Sequence, residues 1–302
     1  MQRFPLGPRS VGRLGFGAIQ LCGPGVFGPP RDHDQALAVL RRAVDLGVDH
    51  IDTAQFYGPD VVNDLIREAL YPYPENLTLV SKVGARRDEK GRWLPAHEPN
   101  ELRRGIEENL RALRVQQLAA VNLRVIDPDA PNPNKPGSLR REQFDAQLTA
   151  MIEARDAGLV AGIGLSNITL DHLRAALERT DIVCVQNAFN LADRSSQPVL
   201  NECTARGIAF VPFFPLGSAF AAGKPLLENP VVQRTAEKHG RTPAQIVLAS
   251  TLSLAPNILL IPGTSSLRHL EENMAAADIV LDDDIVTELG AVFGWLPQRL
   301  SS

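Results

Sequence analysis

The stretch Val48-Asp-His-Ile-Asp52 is a short apolar run that ends on an acidic residue, and Thr53-Ala-Gln-Phe-Tyr-Gly-Pro59 follows it as a loop that closes on turn residues. The next segment repeats apolar residues with the period of a helix until Pro72 ends the pattern. Its apolar face consists of Val62, Leu65, Ile66 and Ala69. Strand, loop and helix form one β–α unit, and its repetition along the chain indicates the fold class.

The same alternation continues on both sides of this unit. Further helical faces carry Leu37, Leu40 and Val44 before Gly47; Leu102, Ile106, Leu110 and Leu113; and Phe144, Leu148, Met151 and Ile152 before Gly158. The β-rich runs number eight and occupy residues 13–17, 48–52, 77–81, 118–123, 160–165, 182–186, 208–212 and 258–261. Eight units with right-handed crossovers predict an α/β fold, a (β/α)8 TIM barrel that forms a single domain over residues 1–302.

Segments outside the repeat are an N-terminal extension before residue 13 and two later pieces. Residues 127–138 are too rich in Pro and Asn for a helix, and they follow the fourth run on the side where barrel active sites lie. They form either a rim loop over the site or a passive surface insertion. Residues 282–292 predict an extra C-terminal helix that covers part of the barrel wall or floor.

Composition describes an ordinary globular chain of 302 residues, 44% hydrophobic and 22% charged, with a net charge of −4. The mild acidity disfavours nucleic acid or an anionic membrane as a partner. No apolar run reaches the length of a membrane span, and the N-terminus lacks a leader pattern, so we expect a cytoplasmic protein. The histidines lack ligand spacing, and the cysteines are odd in number and unclustered, which predicts neither a metal site nor a disulfide framework; they are Cys22, Cys184 and Cys203.

Three ionisable residues stand at or just after the ends of two of the runs. Asp52 closes the second run, Tyr57 follows five residues later, and Lys82 closes the third run. In a barrel of parallel strands they would meet at one mouth. An ammonium beside a phenol favours the phenolate and eases release of the proton, and Asp52 would hold Lys82 charged. This arrangement suits proton donation to a carbonyl oxygen while hydride reaches the carbon.

Each of these residues also has a purely structural interpretation. A strand-terminal Asp is often a helix cap, a Tyr before Gly-Pro is often a packed rim residue, and a Lys after a strand usually reaches solvent. A barrel lysine at a strand end can also serve as the Schiff-base residue of an aldolase, which keeps a carbon–carbon lyase open.

Several motifs together carry a family resemblance. They are Leu14-Gly-Phe-Gly-Ala18, Asp52-Thr-Ala-Gln-Phe-Tyr57-Gly58, Lys82, Gly162-Ile-Gly-Leu-Ser-Asn167, Gln186-Asn187, and Ile261-Pro-Gly-Thr-Ser-Ser266 with Glu272-Asn273. On these motifs the chain resembles the aldo-keto reductases from its N-terminus to about residue 290. The resemblance implies that Asp52, Tyr57 and Lys82 are catalytic, with Tyr57 the proton donor, and that a nicotinamide dinucleotide binds without a Rossmann fold.

The resemblance also implies a set of cofactor-binding residues. They are Gly17, Ala18, Ser166, Asn167, Gln186, Phe214, Pro215, Leu216, Gly217, Ile261, Gly263, Thr264, Ser265, Ser266, Glu272 and Asn273. The amides and hydroxyl of Ser166, Asn167 and Gln186 could hold the carboxamide, Phe214 could stack on the ring, and a helix N-terminus after Ser266 suits a phosphate. Glycine-rich turns and Ser-Asn pairs are also routine loop chemistry.

Two positions depart from the common family pattern. His269 stands where many members place an arginine for the extra phosphate of NADP, but Thr264, Ser265, Ser266 and Arg268 remain nearby, so we expect NADPH rather than NADH. Arg124 stands where most members have histidine. Because arginine stays protonated, we expect Arg124 to be catalytic through fixed charge, orienting substrate and stabilising the developing alkoxide. Alternatively, it pairs with an acidic group such as Asp52 and shapes the pocket.

The arginine variant narrows the resemblance to one subgroup. The stretches 23–30, 119–124, 211–217 and 257–266 resemble the bacterial pyridoxal reductases, which implies reduction of pyridoxal to pyridoxine with NADPH. The predicted partner is thus a small-molecule carbonyl compound, whose phenolate the cation at position 124 could neutralise. Phe27, Phe56 and Trp93 are candidates for a wall against the pyridine ring, although core or rim packing is the preferred interpretation. A general aldehyde or ketone reductase and a non-catalytic, NADPH-sensing subunit remain alternatives.

Overall fold

The computed structural model describes residues 2–126, 136, 140–217 and 226–294. The rim loop expected at 127–138 therefore lies outside the described residues apart from Pro136. Within the described ranges, no helix combines the length and the apolar character needed to cross a membrane.

A curved sheet of parallel strands forms the centre of the molecule. An antiparallel hairpin precedes it, made of β1 (Arg3–Leu6) and β2 (Arg9–Gly12). The strands that follow are β3 (Phe16–Gly17), β4 (His50–Asp52), β5 (Thr78–Arg87), β6 (Trp93–Ala96), β7 (Ala120–Arg124), β8 (Ile163–Ser166), β9 (Cys184–Gln186) and β10 (Ala209–Phe210). Seven of them pair in parallel in the order β10-β9-β8-β7-β5-β4-β3, and β6 pairs antiparallel with β5.

The eighth predicted run closes this sheet into a barrel. Ile258 forms a parallel bridge with Phe210, and Leu260 forms one with Leu14. At this seam the Gly15 N–H donates to the Leu260 carbonyl at 2.8 Å, and the Leu259 N–H donates to the Phe210 carbonyl at 2.9 Å. The predicted (β/α)8 barrel is therefore confirmed, with an eighth strand that contributes isolated bridges rather than a long ladder.

A buried arginine reinforces the seam. The guanidinium of Arg13, 8% exposed, donates to the carbonyls of Leu252 at 2.5 Å, Ala255 at 2.6 Å and Ile258 at 3.1 Å. The last carbonyl groups of a helix lack donors within the helix, and a cation beside them also interacts favourably with the negative end of the helix dipole. Arg13 thus connects the start of the first barrel strand, three residues before β3, to the helix over Pro243–Ser253 and the turn that precedes the eighth barrel strand.

Ten α-helices surround the barrel: α1 (His33–Asp45), α2 (Val61–Leu70), α3 (Pro99–Leu113), α4 (Arg141–Asp156), α5 (Leu170–Leu177), α6 (Gln197–Arg206), α7 (Pro230–His239), α8 (Pro243–Ser253), α9 (Leu267–Ala275) and α10 (Asp283–Phe293), all in the described part of the chain. Local chemistry sets their ends. Asp32 accepts the Gln35 N–H at the start of α1, and Gly207 adopts a left-handed φ of 67° after α6. The predicted C-terminal helix is α10, which packs Ile285 and Leu289 against Val232 of α7.

The N-terminal extension closes the floor of the barrel. Leu6 and Val11 of the β1–β2 hairpin pack on barrel-interior side chains that include Val80, Ala120 and Cys184. Asp49, just before β4, accepts the Gly12 N–H at 3.0 Å and forms an ion pair of 2.8 Å with Arg3. The floor is thus filled by apolar side chains, and the cavity opens at the carboxyl ends of the strands.

Strand β5 runs six residues past the predicted end at Ser81 and continues above the mouth. There it turns back as β6, with Gly84 opposite Ala96 and Arg87 opposite Trp93. Gly84 has a φ of 102°, and a Cβ at this position would lie 2.3 Å from the Arg124 carbonyl oxygen. Glycine is therefore required where β5 passes close to β7.

Candidate active site

The four predicted catalytic residues meet at the mouth of the barrel. Asp52 ends β4, Lys82 lies in β5, Arg124 ends β7, and Tyr57 lies in the loop after β4. The first two and the tyrosine are nearly inaccessible, with 4%, 5% and 6% of their surface exposed for Asp52, Lys82 and Tyr57. The carboxyl ends of parallel strands share one face of a barrel, which is why residues so distant in sequence converge.

Lys82 is held as a buried ammonium. Its Nζ forms an ion pair with Asp52, donates to the Thr53 carbonyl at 3.1 Å, and lies 5.1 Å from the centroid of the Tyr57 ring. Burial works to lower the pKa of Lys82, but the charges of Asp52 and Tyr57 and the hydrogen bond to Asp52 outweigh burial, so the net shift is upward. The ammonium is therefore charged at neutral pH and directed at the tyrosine.

At Tyr57, burial raises the pKa, and the charge of Asp52 adds to this increase. Lys82 and Arg124 both act to lower the pKa of Tyr57 through their positive charge. The sequence argument gave the ammonium the larger influence, but the pKa of Tyr57 is raised overall because the hydroxyl is desolvated. The residue is thus a protonated phenol flanked by two cations.

Gln186 positions the acidic member of the site. At the end of β9, its Nε2 donates to Asp52 Oδ2 at 2.6 Å. Its Oε1 is buried and has no hydrogen-bond partner in the described part of the chain. The sequence predicted a cofactor contact here but not the hydrogen bond to Asp52. The Gln186 side chain thus has one acceptor still able to form a hydrogen bond, its amide oxygen, which could accept from a bound ligand.

Arg124 contacts a hydroxyl and an aromatic ring. Its Nη1 lies 3.4 Å from Ser166 Oγ, and its Cζ lies 5.4 Å from the centroid of Phe213. Both carboxylate oxygens of Asp52 are engaged by other donors, Lys82 and Gln186. Burial lowers the pKa of Arg124, opposed by the charge of Tyr57, yet a guanidinium remains protonated in proteins. The residue places fixed positive charge beside the phenol.

One cavity of about 780 Å³ lies in front of these residues. All four predicted catalytic residues line it. Of the predicted cofactor residues, those that also line it are Gly17, Gln186, Phe214, Pro215, Leu216, Gly217, Ile261, Gly263 and Ser265. A cavity of this size with convergent polar groups at its base matches the usual form of a cofactor and substrate site.

Comparison with known proteins identifies the family. The model of the aldo/keto reductase family matches residues 13–292. The chain belongs to the aldo/keto reductase family. It is therefore an oxidoreductase that acts on CH–OH groups and their carbonyl counterparts.

Individual relatives cover nearly the whole chain. A pyridoxine 4-dehydrogenase of Escherichia coli strain K12 is 49% identical over 289 residues, which are 96% of this chain and 97% of that protein. An uncharacterized oxidoreductase of Schizosaccharomyces pombe is 37% identical over 94% of this chain and 87% of that protein.

Solved structures share the fold of this aldo/keto reductase. A thermostable aldo-keto reductase in complex with the inhibitor epalrestat is 27% identical, has a TM-score of 0.79, and is matched over 97% of this chain and all of that one. An aldo/keto reductase from Klebsiella pneumoniae in complex with NADP and acetate is 24% identical, with a TM-score of 0.77 over 96% of this chain and 94% of that one.

The remaining predicted cofactor residues of the reductase lie behind the cavity surface. Ser166 contacts Arg124, and Asn167 donates its Nδ2 to the Val125 carbonyl at 2.9 Å. Thr264 accepts the Ser266 N–H at 3.1 Å and Ser266 in turn caps α9, so both shape the loop before that helix. The others that do not line the cavity are Ala18, Glu272, which pairs with Arg268 at 2.9 Å, and Asn273.

Several lining residues were missed from the sequence. The loop after β3 contributes residues 19–26, and the start of α1 contributes residues 31–36 apart from His33 and Asp34. Gln35 Nε2 donates to the Ser265 carbonyl at 3.3 Å, which joins this helix to the loop before α9. The only sequence signal was the Gly- and Pro-rich stretch 23–30, which resembled one subgroup of the family.

Aromatic rings line one side of the cavity. The Phe56 ring meets the Tyr57 ring edge to face at 5.4 Å and the Trp93 ring at 5.5 Å. Phe56 and Trp93 line the cavity together with Phe213, which the sequence did not single out, whereas Phe27 does not line it. Packing was the preferred interpretation for Phe27, Phe56 and Trp93; Phe56 and Trp93 do pack in or against the core, and both also line the cavity.

A buried polar network lies behind the catalytic strands. Thr53 Oγ1 donates to Asn63 Oδ1 at 2.8 Å, and Asn63 Nδ2 donates to Asn109 Oδ1 at 2.8 Å. Asn109 Oδ1 also accepts from Ser81 Oγ at 2.6 Å, and its Nδ2 donates to Gln55 Oε1 at 3.1 Å. Asn109 of α3 thereby links the neighbour of Asp52 to the neighbour of Lys82.

In the residues that the structure describes, no group of three or more His, Cys, Asp or Glu side chains is arranged to hold a metal ion. The polar chemistry of the site is carried by the phenol, the ammonium, the guanidinium and the carboxylate.

Proposed function

We propose that this aldo/keto reductase reduces pyridoxal to pyridoxine with NADPH, and that Tyr57 donates the proton. The observation that carries the proposal is the buried, protonated phenol between Lys82 and Arg124 at the base of the cavity. The substrate is supported by the 49% identity with the pyridoxine 4-dehydrogenase of Escherichia coli.

The residues at the base of the cavity fit a nicotinamide group. The orphaned, buried Oε1 of Gln186 would accept the N–H of a carboxamide, which satisfies an oxygen that otherwise has no donor in the described residues. Phe214 lines the cavity where a ring could stack. When bound, the reduced nicotinamide supplies hydride to the carbonyl carbon.

The phosphate end of the cofactor would lie near α9. The loop that ends at Ser266 presents hydroxyls beside the first N–H groups of α9, an arrangement that suits phosphate oxygens. NADPH is favoured over NADH because Arg268 and the hydroxyls of 264–266 lie at this end. The Klebsiella pneumoniae reductase of the same fold, which was crystallised with NADP, is consistent with this choice.

The proton follows a short route in the reduction. As hydride reaches the carbonyl carbon, negative charge develops on the carbonyl oxygen, and the Tyr57 hydroxyl gives its proton to that oxygen. Lys82 stabilises the phenolate that forms, and Asp52 keeps Lys82 charged and in place. Arg124 stabilises the developing alkoxide with a charge that needs no proton exchange.

Pyridoxal suits the charges of the site. Its aldehyde stands beside a phenolate, and the fixed cation of Arg124 can neutralise that oxygen while the aldehyde faces Tyr57. Phe56, Trp93 and Phe213 offer aromatic surface to a flat ring.

NADPH oxidation by the purified protein tests the proposal, with pyridoxal, pyridoxal phosphate and benzaldehyde as substrates and NADH as the alternative cofactor. We expect pyridoxal to be preferred, Tyr57→Phe to abolish turnover while NADPH still binds, and Arg124→Ala to lower kcat about 10²- to 10³-fold. Equal rates with benzaldehyde would replace the assigned substrate by aldehydes in general. Tight NADPH binding without turnover of any aldehyde would indicate a sensing subunit.

A further inference from the structure

Arg87 joins the loop after β3 to the β5–β6 hairpin, and residues of both segments, Val26 and Trp93 among them, line the cavity. It stands on β5 above the mouth, half-buried. Its Nη1 donates to the Val26 carbonyl at 2.6 Å, and its Nη2 donates to the Gly25 carbonyl at 2.8 Å. Its Nε and Nη2 donate to the Gly91 carbonyl at 3.1 and 2.6 Å. One guanidinium thereby fastens the loop after β3 to the turn between β5 and β6.

The same guanidinium lies against two aromatic rings. Its Cζ is 4.1 Å from the centroid of Trp93 and 5.5 Å from that of Phe27. Planar guanidinium groups stack on aromatic faces, and this contact restricts the ring it covers. We call Arg87, its three carbonyl acceptors and these two rings the Arg87 clamp.

The Arg87 clamp is connected to the catalytic tyrosine through aromatic contacts. Trp93 meets Phe56 at 5.5 Å, and Phe56 meets Tyr57 at 5.4 Å, both edge to face. On the other side, the Gly28 N–H donates to the Gly58 carbonyl at 3.1 Å, directly after Tyr57. The loop after β3 is therefore held at residues 25 and 26 by Arg87 and, two residues further on, at Gly28 by the loop that carries Tyr57.

The backbone of this loop is strained at a residue that Arg87 contacts. Val26, a β-branched residue, adopts a left-handed φ of 60°, and its carbonyl is one of the acceptors of Arg87. Such a conformation persists only where surrounding contacts hold it. Val26 and Gly25 both line the cavity, so the conformation that Arg87 holds is part of the binding surface.

We propose that Arg87 is a positioning residue that sets the width of the cavity mouth and so selects flat, ring-bearing aldehydes over small aliphatic ones. The proposal rests on the proposed function in that it concerns the carbonyl substrate of the same site. Arg87 touches neither the reacting atoms nor the catalytic residues directly; it acts by fixing Trp93 and the segment 24–26. A ring substrate needs both walls in place, whereas a short aliphatic aldehyde needs neither.

The test uses full-length Arg87→Gln and Arg87→Lys, with Arg86→Gln as the matched control. Arg86 is the preceding, exposed residue of the same strand, and its nearest ion-pair partner is 3.9 Å away. Steady-state kinetics with NADPH compare benzaldehyde, pyridoxal and propanal. Acrylamide quenching is measured in the same variants carrying Trp295→Phe, which leaves Trp93 as the sole tryptophan.

We expect Arg87→Gln to raise KM for benzaldehyde about tenfold with little change in kcat, to leave kcat/KM for propanal unchanged, and to increase quenching of Trp93. Arg87→Lys keeps the charge but loses the planar fork, so it should follow Arg87→Gln and serves in its place if that variant does not fold. Arg86→Gln should match the parent.

An unchanged ratio of benzaldehyde to propanal activity would overturn the proposal, whether or not Trp93 becomes more accessible. A parallel loss with both aldehydes would also overturn it, because general disruption of the site does not select by ring size. Failure of the parent to reduce pyridoxal concerns the proposed substrate alone, since the benzaldehyde to propanal ratio decides the role of Arg87.

Discussion

At Tyr57, the proposed proton donor, burial and the neighbouring cations shift the pKa in opposite directions. Desolvation raises the pKa of Tyr57, whereas Lys82 and Arg124 lower it without reversing the shift. A group with a raised pKa keeps its proton over a wider range of pH, which suits a donor in reduction. The two cations contribute mainly when the proton leaves, because they stabilise the phenolate and alkoxide that form.

The pH dependence of reduction follows from this balance. Because the pKa of Tyr57 is raised, the donor form persists at and above its ordinary value of about 10, and the rate should fall only at more alkaline pH. Arg124 adds no titration at lower pH, whereas Arg124→His introduces a group with an ordinary pKa of about 6.5. We expect pH profiles of kcat/KM to be flat through neutrality for the parent and to gain a limb there in Arg124→His.

A neutral limb in the parent profile would contradict this expectation. Arg124→Lys provides the control, since a lysine retains fixed charge and should leave the profile flat while lowering the rate. The profile must be measured with saturating NADPH so that cofactor binding does not contribute its own titration.

Sequence reasoning predicted that these ionisable residues meet at one mouth, but it did not predict how burial and charge balance there. Asp52, Lys82 and Arg124 could be placed at one mouth because strand ends in a parallel barrel share a face. The hydrogen bond from Gln186 to Asp52 joins residues 134 positions apart, and it depends on side-chain rotamers that no local pattern encodes. The net pKa of Tyr57 likewise depends on the depth of its burial, which appears only in the folded chain.

At the scale of elements, Asn109 connects helix α3 to both catalytic strands. Its side chain forms hydrogen bonds with Asn63, Ser81 and Gln55 inside the wall of the barrel. Hydrogen bonds of this kind are strong where water is excluded, and each partner left unpaired is costly. The network therefore sets the distance between the helix layer and the loop that carries Tyr57.

Replacing Asn109 should lower both the stability of the fold and the rate of the reaction. We expect Asn109→Ala to lower the free energy of unfolding by about 1–3 kcal/mol for each buried group it leaves unpaired. The rate should also fall, because Thr53 and Ser81 flank Asp52 and Lys82. Urea unfolding and steady-state kinetics measure the two effects.

Glu107→Ala is the matched control on the same helix. Glu107 pairs with Arg103 at the exposed side of α3, and its loss should change stability by no more than about 0.5 kcal/mol. Equal effects from Asn109→Ala and Glu107→Ala would show that the network contributes nothing beyond an exposed ion pair.

The attachment of the N-terminal hairpin through Asp49 should make the stability of the fold depend on pH. Burial works to raise the pKa of Asp49, but the neighbouring His50 ring, whose Nδ1 lies 3.6 Å from Asp49 Oδ1, the Gly12 N–H and Arg3 outweigh burial, so the pKa is lowered. A carboxyl with a lowered folded pKa stabilises the fold above its ordinary pKa of about 3.9, and the contribution is lost as the pH falls through the folded value. Asp49→Asn should therefore destabilise at neutral pH and converge with the parent in acid.

Urea unfolding at neutral and acidic pH checks this prediction. The gap in unfolding free energy between the parent and Asp49→Asn should shrink as the carboxyl becomes protonated. A gap that stays constant with pH would show that the amide substitution acts through packing rather than through charge. Asp45→Asn, at the exposed end of α1, controls for a general change in net charge.

The end of β5 shows that an apolar pattern does not always predict where a strand ends. The third run ended at Ser81 by its apolar pattern, yet β5 continues through Gly84 to Arg87 because β6 pairs with it above the barrel. Gly84 and Ala85 belong to residue types that are depleted in strands, and pairing with β6 overrides that preference. Arg87 and Trp93 of the Arg87 clamp lie in this hairpin, which the apolar pattern did not predict.

Over the whole molecule, the two ends of the barrel differ in chemical character. The floor is apolar and closed by the β1–β2 hairpin, whereas the mouth carries the ionisable residues and the cavity. The eight-unit repeat of apolar runs predicted this architecture, because barrels place function at the carboxyl ends of their strands. The pattern did not predict that residues 3–12 would form a hairpin across the floor.

Substitution in the floor should affect stability alone. We expect Leu6→Ala, which removes a side chain that is 2% exposed, to lower the free energy of unfolding by about 2–5 kcal/mol while leaving kcat/KM unchanged. Leu6→Met preserves most of the volume and should cost less than about 1.5 kcal/mol. A loss of activity in folded Leu6→Ala would show that the floor and the mouth are coupled.

The acceptors of Arg13 lie between 239 and 245 residues further along the chain. During synthesis, the first strand therefore emerges from the ribosome long before its neighbour across the seam exists. Until residues 252–260 arrive, the nascent sheet has two open edges that can pair with other chains. Such distant pairing also slows folding. The join between first and last strands thus makes a complete chain the condition for a closed barrel, and it exposes unfinished chains to aggregation and chaperone capture.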